Sequence, residues 1–206
     1  MAGSSRRMCA RTAGASSIAL PSRTVHDIGP MKLYVTYGAL IALGSAILTM
    51  AMFALGYHSE NIAAGQKIGW LGVLIAVAGI ALGMREYRNE VGEGVMSYGR
   101  GVGTGALIAI WSSLFSAVFN FIYFKFINPG FSDAMVAFQM AEMERKGIPA
   151  NNIEQAEGML RLFSSPIMIT IMGLFMGAIF GVIISLILAA IFKSKPGVSA
   201  PPPVQA

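Results

Sequence analysis

The stretch that decides the fold is residues 166–192, PIMITIMGLFMGAIFGVIISLILAAIF, which contains no charged residue. It exceeds the roughly 20 apolar residues that an α-helix needs to cross the hydrocarbon core of a bilayer. Pro166 suits the first turn of a helix, because its missing N–H leaves no helical hydrogen bond unmade. Lys193 and Lys195 close the run. We therefore predict a transmembrane helix over residues 166–192.

Charged residues divide the rest of the chain into further apolar runs. The pairs that enclose these runs are Lys32 and Glu60, Lys67 and Arg85, and Arg100 and Lys125. We predict helices over about 33–56, 68–84 and 101–125, the second at the short limit for a span. Period-2 alternation is absent, which excludes a membrane β-barrel pattern. The predicted class is all-α, a polytopic protein with four transmembrane helices.

The composition supports a membrane protein. Hydrophobic residues make up 55% of the chain and charged residues only 12%, against about 25% charged in a soluble domain. The net charge of +5 does not indicate nucleic-acid binding, since the basic residues border apolar runs and form no stripe. The expected partner is the lipid bilayer.

The distribution of basic residues predicts the orientation. Ten of the fifteen Lys and Arg residues lie on the side of the N-terminus: Arg6, Arg7, Arg11, Arg23, Lys32, Arg85, Arg88, Arg100, Lys193 and Lys195. Positive charge favours the cytoplasmic side. Because four spans return the chain to the side where it began, we expect both termini in the cytoplasm.

Three segments lie outside the predicted spans. Residues 1–30 predict a disordered basic arm, or an extension upstream of a start at Met31; they lack the apolar run of a secretory signal. Residues 31–195 form the membrane domain, and 196–206 a flexible proline-rich tail. Between helices three and four, residues 126–165 carry apolar residues at helical spacing, which predicts a short amphipathic helical hairpin.

Small residues recur every fourth position in the predicted spans. The fourth helix carries Gly173, Gly177, Gly181 and Ser185, and the second carries Gly72, Ala76, Gly79 and Gly83. The third carries Gly105, Ala109, Ser113 and Ala117. Such seams allow helix backbones to approach closely in lipid. They either hold the chain's own four helices together or form a homodimer; both interpretations stay open.

One polar face lies within the third helix. Ser112, Ser116 and Asn120 share it at four-residue spacing. Hydrogen bonding between helices accounts for such a face, and a solute path is the alternative. Asp, Glu, Lys, Arg and His are absent from the interior of each predicted span, which disfavours ion-coupled transport.

The inventory of reactive side chains predicts no enzyme, no metal site and no cofactor. Cys9 is the single cysteine, and the histidines are His26 and His58. We interpret His58 as a surface residue beside Glu60. Residues 101–105, GVGTG, lack the Lys-Ser/Thr and the preceding strand of a phosphate loop.

The order of elements resembles a known family. MKLYVTYGALIALG opens the domain, GMREYRNEVGEGVMSYGRG follows the second helix, FNFIYFKFINPGF ends the third, and IFGVIISLILAAIFKSKP closes the fourth. Over residues 31–195 these stretches resemble the bacterial membrane proteins grouped as domain of unknown function 4199. The resemblance implies a four-span protein of the bacterial inner membrane and implies no activity.

Two functions remain as hypotheses. The first is a non-enzymatic homo-oligomer or accessory subunit of an envelope complex, whose role is packing. The alternative is a small channel or facilitator for a small solute, lined by Ser112, Ser116 and Asn120 and gated by the segment between helices three and four.

Overall fold

A computed structural model describes residues 29–59 and 61–194 of the protein. Every regular element in these ranges is helical, so the predicted all-α class is confirmed for them. Their α-helices are α1 (Pro30–Ala54), α2 (Ile62–Ile68), α3 (Leu71–Glu86), α4 (Tyr98–Ile122), α5 (Phe131–Arg145), α6 (Ala150–Phe163) and α7 (Pro166–Phe192). The predicted tail over 196–206, and the predicted arm over all but its last two residues, lie outside the described residues.

Four helical runs are long and apolar enough to cross a membrane, so this is a multi-pass membrane protein. They are Pro30–Ala54, Ile62–Val91, Tyr98–Ile127 and Pro166–Phe192. The second run extends well beyond the predicted 68–84, because α2 leads almost directly into α3 and a π-helical turn (Tyr87–Val91) follows it. Charges such as Lys67 and Arg85 do not end the helix, since long basic side chains at the ends of a span can reach the interface.

Two of the spans begin at serine caps. The hydroxyl of Ser97 accepts a hydrogen bond from the backbone N–H of Arg100 at the start of α4, and that of Ser165 accepts one from Met168 at the start of α7. Each cap satisfies an N–H that has no partner within the helix. Pro166 occupies the first turn of α7, as its sequence position predicts.

The spanning helices form a four-sided bundle in the order α1, α3, α7, α4, and α4 packs most extensively against α7. We call the end where α1 begins and α7 ends the termini end, and the opposite end the α5–α6 end. The main core lies toward the termini end and contains fully buried Met84, Met96 and Ile108. Large apolar side chains such as Leu43 and Ile187 are exposed on the outside, where the bilayer solvates them.

Two helices occupy the segment between the third and fourth spans. The hydroxyl of Ser132 on α5 donates to the carbonyl oxygen of Ser164, 2.6 Å away, after α6. Arg161 on α6 pairs with Asp133 on α5 at 3.0 Å. Gly147, with φ of +74°, makes the turn between them, a backbone conformation that glycine adopts without strain. These contacts join α5 and α6 to each other more than to the bundle.

Candidate functional site

The predicted seam of the fourth helix packs against the third helix of the same chain. Along the antiparallel pair α4 and α7, small residues meet in register: Gly101 with Ala189, Gly105 with Ser185, Ala109 with Gly181, and Ser113 with Gly177. A Cβ added at Gly177 would lie only 2.9 Å from the Oγ of Ser113. Small residues are therefore required at these positions for the two backbones to approach.

The same seam opens toward the α5–α6 end. Gly173, one step further along α7, is exposed, and nothing lies within 4 Å of a Cβ built there. The seam of α3 divides in the same way. A Cβ at Gly79 would collide with Ile41 of α1 and one at Gly83 with Ile108 of α4. Gly72, by contrast, has open space, and Ala76 borders a cavity. Each seam is thus a packing surface in one half of the bundle only.

A cavity of about 310 Å³ lies where the seams open, bounded by α1, α3, α4 and α7. We call it the serine cavity, because four serines line it: Ser45, Ser112, Ser113 and Ser116. Toward the termini end Ile80, Ala109 and Ile184 close it, and the main core continues behind them. Two of the three predicted polar-face residues, Ser112 and Ser116, therefore face the interior of the bundle.

The four serine side chains make no hydrogen bond to any part of the protein that the structure describes. By contrast, Ser185 in the packed half donates to the carbonyl oxygen of Gly181 at 2.6 Å. No fully buried polar side-chain atom lacks a partner among the described residues, so the cavity serines are accessible from the cavity. A hydroxyl in an apolar surrounding costs free energy unless it is hydrogen-bonded. The serine cavity therefore favours a molecule that brings hydrogen-bonding groups.

A second cavity of about 280 Å³ adjoins the first toward the α5–α6 end and shares Ser45 and Gly72 with it. Its polar lining includes His58, Gln66 and Asn120, and we call it the histidine cavity. Asn120, the third predicted polar-face residue, lines this cavity and not the serine cavity. Within the described residues the side chains of Gln66 and Asn120 have no hydrogen-bond partner, so both carboxamides are available to a ligand.

Half-buried His58 belongs to a network around buried Tyr123 that the sequence did not predict. Its Nδ1 lies 2.6 Å from the hydroxyl of fully buried Tyr123, which also accepts a hydrogen bond from Asn128 Nδ2 at 3.2 Å. His58 is half-buried, because its ring packs against Tyr123 and Phe131. Its predicted neighbour Glu60 lies outside the described residues. No local signal could have revealed this, since 65 residues separate His58 from Tyr123.

Burial favours the neutral form of His58. The Tyr123 hydroxyl can accept from Asn128 and also either donate to Nδ1 of His58 or accept from it. Burial lowers the pKa of His58 below its ordinary 6.5, because desolvation penalises the charged ring. The histidine cavity is consequently lined by an imidazole whose neutral form is favoured.

The structure also locates the glycines of the GVGTG stretch, Glu86 and the side chains that could ligate a metal. Gly101 and Gly105 of the GVGTG stretch lie within α4 and pack against α7, so these glycines serve helix packing. Glu86 lies in the second helical run, beyond the predicted end of that span, and accepts a hydrogen bond from the hydroxyl of Tyr37 at the termini end. In the described part of the chain, His, Cys, Asp and Glu form no cluster that could hold a metal ion.

Comparison with known proteins gives a family and no nearer relative. The family described as "Protein of unknown function (DUF4199)" matches residues 36–194. No curated protein and no solved structure matches the chain.

Proposed function

Because the chain belongs to the DUF4199 family of proteins of unknown function, we propose its function from the geometry of the membrane domain. The proposal is a non-enzymatic facilitator that binds a small uncharged, hydrogen-bonding compound inside the bundle. The observation that carries it is the row of unpartnered hydroxyls in the serine cavity. The cavities have about 310 and 280 Å³, at the lower limit of pockets that bind small molecules.

The lining supports an uncharged ligand. Among the described residues, neither cavity is lined by Asp, Glu, Lys or Arg. A charged solute would lose its hydration without gaining an opposite charge, which is costly in a low-dielectric interior. The hydroxyls of the serine cavity and the carboxamides of Gln66 and Asn120 both donate and accept hydrogen bonds. This combination favours hydroxyl- and carbonyl-bearing compounds.

We also propose that the protein resides in the inner membrane with both termini in the cytoplasm. The excess of Lys and Arg on that side supports this orientation. So does the bundle itself, in which α1 begins and α7 ends at the same end. The two cavities then lie toward the non-cytoplasmic side, and the packed core lies between them and the cytoplasm. No nucleic-acid partner is proposed.

Solute flux into proteoliposomes tests the facilitator. Wild-type protein should raise the permeability to uncharged polyols such as glycerol above that of protein-free liposomes, measured by stopped-flow light scattering. The double variant Ser112→Ala/Ser116→Ala should lower that flux at least about fivefold, the equivalent of one hydrogen bond of about 1 kcal/mol. Asn120→Leu should lower it as well.

The matched control is Thr36→Val, which removes a hydroxyl from the exposed side of α1 and should leave flux unchanged. If wild-type liposomes are no more permeable than empty ones to any polyol tested, the facilitator is excluded. If Thr36→Val lowers flux as much as the cavity variants, the cavity is not the path.

A second function is favoured by one observation. Gly72 and Gly173 flank the opening of the seams and have open space around them, so a helix of a second copy or of another subunit has room to approach. This supports the homo-oligomer or accessory-subunit hypothesis. Gly173→Ile should then reduce the mass of the purified particle, measured by light scattering in mild detergent. An unchanged monomeric mass in wild type and variant would count against it.

A further inference from the structure

The serine cavity has an opening in its side wall, between α3 and α7. Val73 on α3 and Phe180 on α7 both line the cavity, yet they are 40% and 51% exposed. Exposed Gly69 and Gly173 border the same gap. Toward the termini end Met84 of α3 packs beside Gly105 and Ser185, and the gap closes there.

The Phe180 rim of the opening lies near the middle of a spanning helix. Phe180 is one residue beyond the middle of α7, a helix of 27 residues, so it lies about 20 Å from the start of that helix at 1.5 Å per residue. Both rims are apolar: Val73 on one side and Phe180 on the other. A molecule that enters here comes from the bilayer and does not need to pass through water.

The opposite wall is polar. Ser112, Ser113 and Ser116 on α4 line the serine cavity together with Val73 and Phe180, and Asn120 lies one turn further along α4 in the histidine cavity. His58 and Gln66 add polar side chains there. A ligand that satisfies both walls has a hydrogen-bonding head and an apolar tail.

We propose that the paired cavities bind an uncharged single-chain lipid whose head group carries hydroxyl or carbonyl oxygens. The head lies against the serines and Asn120, and the acyl chain leaves between Val73 and Phe180 into the bilayer. The inference uses the site of the proposed facilitator and names the class of its ligand. A monoacylglycerol has this chemistry and is a suitable probe.

Photo-crosslinking in nanodiscs tests the lipid. Full-length protein in phosphatidylcholine nanodiscs is exposed to a monoacylglycerol with a diazirine in its chain, and the labelled peptides are identified by mass spectrometry. Label should concentrate on the peptides that contain Val73 and Phe180. Excess unlabelled monoolein should compete for the site, whereas added phosphatidylcholine should not.

Two substitutions locate the opening. Val73→Trp should fill it and lower labelling at Phe180 about tenfold. Leu74→Trp is the matched control, because Leu74 is the adjacent residue, is 62% exposed and does not line the cavity. Gly173→Trp blocks the other rim and replaces Val73→Trp if that variant does not fold. Ser112→Ala/Ser116→Ala should weaken competition by monoolein about fivefold.

Each outcome separates the lipid from the facilitator. Label spread evenly over outward-facing positions such as Leu43 and Ile187, and unaffected by Val73→Trp, is ordinary contact with the bilayer and overturns the inference. If polyols cross the liposomes but the monoacylglycerol does not bind, the facilitator proposal stands and the lipid proposal is contradicted. If the monoacylglycerol labels the site specifically but no polyol flux is measured, the lipid site stands and the facilitator proposal is contradicted.

Discussion

The two halves of the bundle use the same small-residue spacing to opposite effect. Toward the termini end, Gly181 and Ser185 lie directly against α4, and side chains such as Met84 are fully buried. Toward the α5–α6 end, Gly173 faces open space and a cavity replaces the core. Small residues permit close packing, but whether helices use that freedom depends on what lies beyond the seam.

Large aromatic rings explain why the helices separate toward the α5–α6 end. At the α5–α6 end, the ring of Tyr123 lies 5.9 Å from that of Phe53 on α1 and 4.9 Å from that of Phe124. Ile169 of α7 packs against the same cluster. These side chains lie between helices that meet backbone to backbone at the other end. The aromatic cluster therefore holds the bundle open above its packed half.

The largest expected loss of stability comes from creating a cavity in the packed half of the bundle. Met84→Ala removes a fully buried side chain and should lower the free energy of unfolding by about 2–5 kcal/mol. Unfolding by SDS in mixed micelles, followed by circular dichroism, measures the change. Leu82→Ala is the control, because Leu82 is 54% exposed and should lose less than about 0.5 kcal/mol. Equal losses at both positions would mean that the termini end has no tight core.

A paired substitution along one seam compares the halves directly. Gly181→Val forces a side chain against Ala109 and should cost about 1–3 kcal/mol of stability. Gly173→Val, two turns away on the same seam, enters open space and should change stability by less than about 0.5 kcal/mol. The same unfolding titration compares them. If Gly173→Val were the more damaging, the assignment of packed and open halves would be reversed.

The aromatic cluster can be weakened without changing its volume. Tyr123→Phe removes the hydroxyl that accepts from buried Asn128 and contacts His58. An unpartnered buried carboxamide should cost about 1–2 kcal/mol. Tyr98→Phe, at an exposed position, controls for loss of a tyrosine hydroxyl. Similar melting temperatures for both variants would mean that the hydrogen bonds of Tyr123 do not stabilise the fold.

The smallest expected effect is on pH dependence. Because the pKa of His58 in the fold is below its ordinary 6.5, the unfolded chain binds more protons than the folded chain just below that pH. Its contribution to stability is therefore complete above pH 6.5 and is lost as pH falls from 6.5 through the folded pKa. Comparing wild type with His58→Phe between pH 7.5 and 5 isolates this slope. A wild type that is relatively more stable at pH 5 would contradict it.

The sequence predicted the spans far better than the cavities. Charges at Lys32, Arg100 and Lys193 border apolar runs, and hydrocarbon excludes charge, so a local pattern is enough to locate helices. It could not separate Gly173 from Gly181, because both occupy the same repeat and only their neighbours on α4 and α3 differ. The polar face was predicted as a unit, yet Ser112 and Asn120 line different cavities. Contacts between distant segments, such as His58 with Tyr123, leave no periodic trace.

The pairing of α4 with α7 has a consequence for how the protein is made. The two helices are consecutive spans, but α5 and α6 are synthesised between them, and chains emerge from the ribosome N-terminus first. Until the last helix is inserted, Gly101, Gly105 and Ala109 of α4 lack their α7 neighbours Ala189, Ser185 and Gly181. The membrane insertion machinery must therefore tolerate a three-helix intermediate with an uncovered glycine surface. Arrest of translation before residue 166 would trap that intermediate.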